Sequence, residues 1–184
     1  MLNKHLVGGL VMALALAPVA RAQDLDVRSA THVRDAYMSN LDTLHAKFVA
    51  LANAIPEGKY SWRPSPGVRS ISEVFMHVAS EYYFYVPMSV AGPPPADFGP
   101  PKEAMAKLEK MTSKAEVLAQ LEKSWAHTKV QMAASDPAKM TTKFGRFNMT
   151  IDDAAFDMTG DLHEHLGQLI AYARSVGVKP PWSK

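Results

Sequence analysis

Apolar residues at Val33, Tyr37, Leu41, Leu44, Phe48, Leu51 and Ile55 follow one another in steps of three or four. That spacing places them on one face of a helix of about 25 residues, since 3.6 residues complete a turn. Pro56-Glu57-Gly58 ends it, and residues 59–69, with Pro64, Pro66 and Gly67, read as a loop. Ser70 and Glu73 match a capping box, in which each side chain takes up the other residue's free backbone N–H. They open a second helix from Ile71 to about Val90, mostly apolar and aromatic and therefore the most buried. Five prolines between 92 and 101 break the chain, and a short helix is expected at 102–111. Ser113 and Glu116 cap a further helix striped by Leu118, Leu121, Trp125 and Met132, which runs to about Ala134. Residues 138–149 are irregular. The last helix starts at Thr150 with Asp153 and buries Met158, Leu162, Leu169, Ala173 and Val176. Gly177 suits a left-handed cap, and Pro180-Pro181 forbid continuation. No segment alternates with a strand's two-residue period. Four amphipathic helices joined by loops predict an all-α four-helix bundle.

The N-terminus changes the reading of charge. Lys4 precedes an apolar run from Leu6 to Val19, which ends in the small-x-small pattern Ala20-Arg21-Ala22. This is the layout of a secretory signal peptide over residues 1–22, cleaved after Ala22. The run is too short to span a bilayer comfortably, so no stable membrane anchor is expected after cleavage. The whole chain carries 20 basic and 18 acidic side chains. Loss of Lys4 and Arg21 leaves residues 23–184 with 18 of each, a net charge of zero. No basic patch remains to suggest nucleic-acid binding. The expected location is periplasmic or secreted. The chain has no cysteine, which excludes disulfides, thiolate ligands and a cysteine nucleophile.

Histidine is the informative residue type. His165 falls within the buried stripe of the last helix, and Asp161 precedes it by one turn, so the two share a face. His163 points away toward solvent. His77 lies on the inward face of the second helix, with Glu81 one turn further on. Inward imidazoles and carboxylates in a bundle interior are costly unless paired or metal-bound. Asp161–His165 could also be a simple intrahelical hydrogen bond. His45 sits at the rim of the first helix's stripe, and His32 and His127 read as surface residues. No nucleophile elbow, phosphate loop or dinucleotide fingerprint is present.

Two segments carry a resemblance. Ala54-Ile55-Pro56-Glu57-Gly58-Lys59-Tyr60-Ser61-Trp62-Arg63-Pro64, with Gly67-Val68-Arg69-Ser70-Ile71 and His77-Val78-Ala79, resembles the DinB-like superfamily. So does His163-Glu164-His165-Leu166-Gly167-Gln168-Leu169 through Arg174. The resemblance covers about residues 30–184 and implies a DinB-like four-helix bundle. It also implies a divalent metal held by three histidines, one on the second helix and two on the last. His77 and His165 match two of these positions, and Asp161 stands at the third. The implied metal ligands are therefore His77, Asp161 and His165. Two histidines and a carboxylate suit zinc, nickel, manganese or iron. Glu81 would serve as a fourth ligand or would orient His77, and Gln168 and Tyr172 lie near the same face.

Three classes of function follow. The first is a metal-dependent hydrolase or thiol-dependent transferase acting on a small-molecule substrate, as the resemblance implies. Export weakens the thiol version, because reduced thiols are scarcer outside the cytosol. The second is a non-catalytic metal-binding or small-molecule-binding module. The third is an interaction bundle with a degenerate site, and pairing into a homodimer is an expectation for any of them.

Overall fold

The structure is a computed structural model that describes residues 24–90, 92, 95, 99–145 and 147–183. The expected signal peptide, residues 1–22, lies outside the described residues. Among the described residues six α-helices follow in order: α1 (Val27–Ala54), α2 (Ile71–Tyr83), α3 (Tyr85–Met88), α4 (Pro101–Leu108), α5 (Lys114–Ala134) and α6 (Ile151–Ser175). The described residues contain no strand beyond one isolated bridge between Phe144 and Met149. None of their helices is long and apolar enough to cross a membrane.

The predicted caps are in place. Ser70 and Glu73 exchange both hydrogen bonds of a capping box, as do Ser113 and Glu116. Thr150 accepts from the backbone N–H of Asp153. Gly177 adopts φ +82°, while Val178 N–H donates to Ala173 and Gly177 N–H to Arg174, a Schellman close. The helix expected to run to Val90 divides at Phe84, where φ is −118° and ψ is −59°. Pro87 accounts for the break. It has no N–H for the Tyr83 carbonyl, and its ring crowds that carbonyl.

In the bundle α1 packs against α5 and α6, and so does α2, so α1 and α2 occupy opposite corners. Leu41, Leu44, Phe48 and Leu51 of α1 are wholly or almost wholly buried, as the periodicity requires. They meet Val74, Phe75, Val78 and Tyr82 of α2, Leu121 and Trp125 of α5, and Leu162 and Leu169 of α6 in one core.

The crossover between the two corners is held by the Tyr60-Ser61-Trp62-Arg63 segment. Tyr60 is buried and donates its hydroxyl to the Ala52 carbonyl at 2.8 Å, back onto α1. The Trp62 carbonyl accepts from Ile71 N–H at the start of α2. Arg63 bonds the Val68 carbonyl and pairs with Glu73 at 2.9 Å. The Trp62 ring meets Tyr172 of α6 edge-on, with centroids 5.3 Å apart. One loop therefore fixes the register of three helices.

Two substitutions separate local from core contributions. Ser70→Ala should cost about 1 kcal/mol, the typical value of a lost N-cap. Phe48→Ala should cost about 3–5 kcal/mol through the cavity it leaves. Urea unfolding followed by circular dichroism checks both, and a larger loss for Ser70→Ala than for Phe48→Ala would contradict the assigned core.

Candidate metal centre

α2 is amphipathic in an unusual sense: one buried face carries a charge. Glu81 is 2% exposed, although a carboxylate is seldom taken out of water without partners. Its Oε1 lies 3.3 Å from His77 Nε2, one turn back on α2, and 3.2 Å from His165 Nε2 on α6. The two imidazole rings stand edge to face, with centroids 4.8 Å apart. Among the described residues no N–H or hydroxyl donor reaches Glu81 Oε2.

The orientation of His165 is fixed from behind. Its Nδ1 lies 3.3 Å from Gln168 Oε1, and Gln168 Nε2 donates to Tyr172 Oη at 3.0 Å. A carbonyl oxygen only accepts, so His165 carries a proton on Nδ1 and turns Nε2 inward. This relay is typical of a histidine held for a metal. His77 lacks such a support, because its buried Nδ1 has no hydrogen-bond partner.

Asp161 stands at the margin. It is half-exposed, and its Oδ1 is 3.9 Å from His165 Nε2. Its carboxyl is close enough to Glu81 to share a proton. Burial and that neighbouring carboxylate push the Asp161 pKa up to about 6. Burial would raise Glu81 as well, but hydrogen bonds from His165, His77 and Asp161 outweigh it and hold Glu81 at about 2. For His165, burial works against the proton and is outweighed by Glu81, so its pKa is raised.

His77, Glu81 and His165 each offer one ligand atom, and the three atoms lie within 4.8 Å of one another. Metal bonds to nitrogen and oxygen are about 2.0–2.2 Å, which places donors roughly 3–4 Å apart around one ion. The two separations to Glu81, 3.3 and 3.2 Å, already have that spacing, so the cluster could hold a metal ion. With neutral imidazoles, two Nε2 lone pairs would otherwise face one carboxylate oxygen. An ion would satisfy all three donors at once, and a proton on each Nε2 does the same without metal.

Of the residues singled out from the sequence, His77 and His165 are brought together as expected. Asp161 adjoins them, but the converging carboxylate is Glu81. The signal for Glu81 was its one-turn spacing from His77, the same spacing that drew attention to Asp161. His163 is exposed, and His32 is exposed as expected. His45 is different: it is buried, stacked on Trp125 with centroids 4.9 Å apart, with Nε2 3.7 Å from Glu122. Its place is the α1–α5 seam, because Trp125 faces inward there. His127 is half-buried rather than a surface residue, its ring 5.8 Å from that of Tyr83.

The donors open onto a cavity of about 580 Å³. His77, Glu81 and Asp161 form part of its wall, with Tyr85, Met88 and Met158. The segment expected to be irregular folds over it as a tight hairpin. Phe144 and Met149 exchange backbone hydrogen bonds of 2.9 and 3.3 Å across a turn with Gly145 at φ +68° and Asn148 at φ +52°.

The fold and site together define an all-α bundle with a metal-binding type of donor cluster on two facing helices. A family model described as the DinB superfamily matches residues 40–169, more than half of the chain. The chain belongs to the DinB superfamily. No curated protein matches it.

The raised His165 pKa sets a pH dependence for the metal-free chain. Stability from the Glu81–His165 pair is fully present below pH 6.5 and is lost as pH rises through the folded value. Asp161, raised from 3.8 to about 6, acts in the same direction at lower pH. Glu81 is depressed and acts oppositely, its contribution being lost as pH falls from 4.5 to about 2. Thermal melting with chelator should give a lower midpoint at pH 8.5 than at pH 6.5. Glu81→Gln should flatten that difference, and an unchanged slope would contradict the pairing.

Proposed function

We propose that the chain is an exported, metal-dependent enzyme of the hydrolase type acting on a small molecule. The observation that carries this reading is that the donor cluster opens onto a cavity instead of being sealed in the core. A small-molecule pocket typically encloses about 300–1,000 Å³, which includes this volume. His77, Glu81 and His165 would hold the ion, and two imidazoles with one carboxylate suit zinc, nickel, manganese or iron. A bound divalent ion supplies an acidified water or thiol and an electrophile for a substrate oxygen.

The chain's own residues have separable tasks in this reading. Gln168 and Tyr172 hold His165 with Nε2 toward Glu81. Asp161, on the cavity wall with a pKa of about 6, is ionised at neutral pH and accepts a proton from the reacting centre. It is a wall residue rather than the third ligand, a place taken by Glu81. The N-terminal 22 residues support export, and export favours water over a low-molecular-weight thiol as the nucleophile.

A second reading, a non-catalytic metal-binding module, is favoured by one observation. Glu81, Asp161 and His165 are able to satisfy one another by sharing protons without a substrate.

Metal content of residues 23–184, produced without an affinity tag, tests both. Elemental analysis should give about one metal per chain. His77→Ala, His165→Ala and Glu81→Ala should each lose it, and Asp161→Asn should retain most of it. Retention in Glu81→Ala with loss in Asp161→Asn would restore Asp161 as the ligand. Less than about a tenth of a metal per chain after reconstitution would end the metalloenzyme reading. With metal bound, Asp161→Asn should lower any hydrolytic kcat by about 100-fold or more, the usual contribution of a general base. In a binding module no turnover would be found to lose.

A further inference from the structure

We infer that the cavity selects a cationic amine with an apolar body and rejects carboxylate- or phosphate-bearing ligands. The inference deepens the proposed function by naming the ligand class of the same site.

The cavity has two kinds of wall. Tyr85 and Met88 from α3, with Phe144, Phe147 and Met149 from the hairpin, make an apolar side with three aromatic rings. The opposite side is α6, where Asp157, Asp161 and Glu164 recur at helical spacing and face the same space. Glu81 closes the floor, buried, with Oε2 reached by no N–H or hydroxyl donor. No lysine or arginine lines the cavity among the described residues.

The charge count then decides the ligand. A divalent ion with Glu81 as ligand leaves one positive charge. Asp157, Asp161 and Glu164 bring three negative ones, so the described lining stays negative even when the site is loaded. Carboxylates concentrate cations at the mouth of a cleft and repel anions. An ammonium group also gains from the faces of aromatic rings such as those of Tyr85 and Phe144. An apolar body suits the thioether and ring surfaces of Met88, Met149 and Tyr85. The same charges disfavour carboxylate-bearing low-molecular-weight thiols as co-substrates.

Two probes of equal body and opposite charge, 4-phenylbutylamine and 4-phenylbutyrate, test the inference. Each is titrated by ligand-observed NMR into residues 23–184, zinc-loaded and metal-free, at low salt. The amine should bind about ten-fold more tightly, the effect of a few partly screened unit charges. The ratio should shrink at least three-fold in a double Asp157→Asn, Glu164→Gln variant. Both residues are exposed, and circular dichroism would show the fold retained. Met88→Trp, which fills the cavity, should remove binding of the amine. Equal or tighter binding of the carboxylate in both forms overturns the inference, as does failure of both probes to bind. Zinc content of the same samples is read separately. A chain that takes no zinc but still prefers the amine refutes the metal reading and leaves the ligand class standing.

Discussion

A carboxylate buried between two imidazoles governs this molecule. Glu81 sits on the most buried helix, where an uncompensated charge would be prohibitive, and it is paired with His77 on its own helix and His165 on α6, with Asp161 beside them. The α2–α6 contact is therefore specified by more than apolar fit. Either protons or a cation must balance the donors, so the protein couples its packing to what occupies the site. His165 is held further by Gln168 and Tyr172, and Tyr172 meets Trp62 in the crossover loop. The polar centre and the scaffold are thus one connected set of contacts.

The two ends of the α1–α5–α2–α6 square differ in chemistry. On the α1–α5 side, His45 stacks on Trp125, and Tyr82 packs against both rings and Phe48. Desolvation there lowers the His45 pKa, partly offset by Glu122. Lining up rings in this way seals the seam. On the α2–α6 side the break at Phe84 turns α3 aside, and the Phe144–Met149 hairpin covers the gap without filling it. A kink required by Pro87 thus creates room for a cavity beside the donors. An unbroken helix through Val90 would carry Tyr85 and Met88 along a different line.

Membership of the DinB superfamily accords with the all-α architecture. Asp161 adds negative charge to a wall that already holds Asp157 and Glu164. The raised Asp161 pKa reflects its burial and the crowding of its carboxyl against Glu81. Chemistry at such a site is tuned by charge as much as by ligand identity.

Local information in the sequence was enough for the elements. Capping pairs, helical periodicity, Gly177 and the prolines act within a few residues, so their effects are readable without knowing the fold. The inward direction of His77 and His165 was legible for the same reason, since a stripe predicts its own buried face. The break at Phe84 is not legible because an apolar run hides the effect of a proline at its far end. His45 was placed at a rim because the ring it stacks on, Trp125, lies about 80 residues away. Which of Glu81 and Asp161 lies nearer both imidazoles is not legible at all. Both lie one turn from a histidine, and spacing along one helix is blind to the distance across to another. Packing α2 against α6 decided it, by burying Glu81 between both imidazoles and leaving Asp161 half in water.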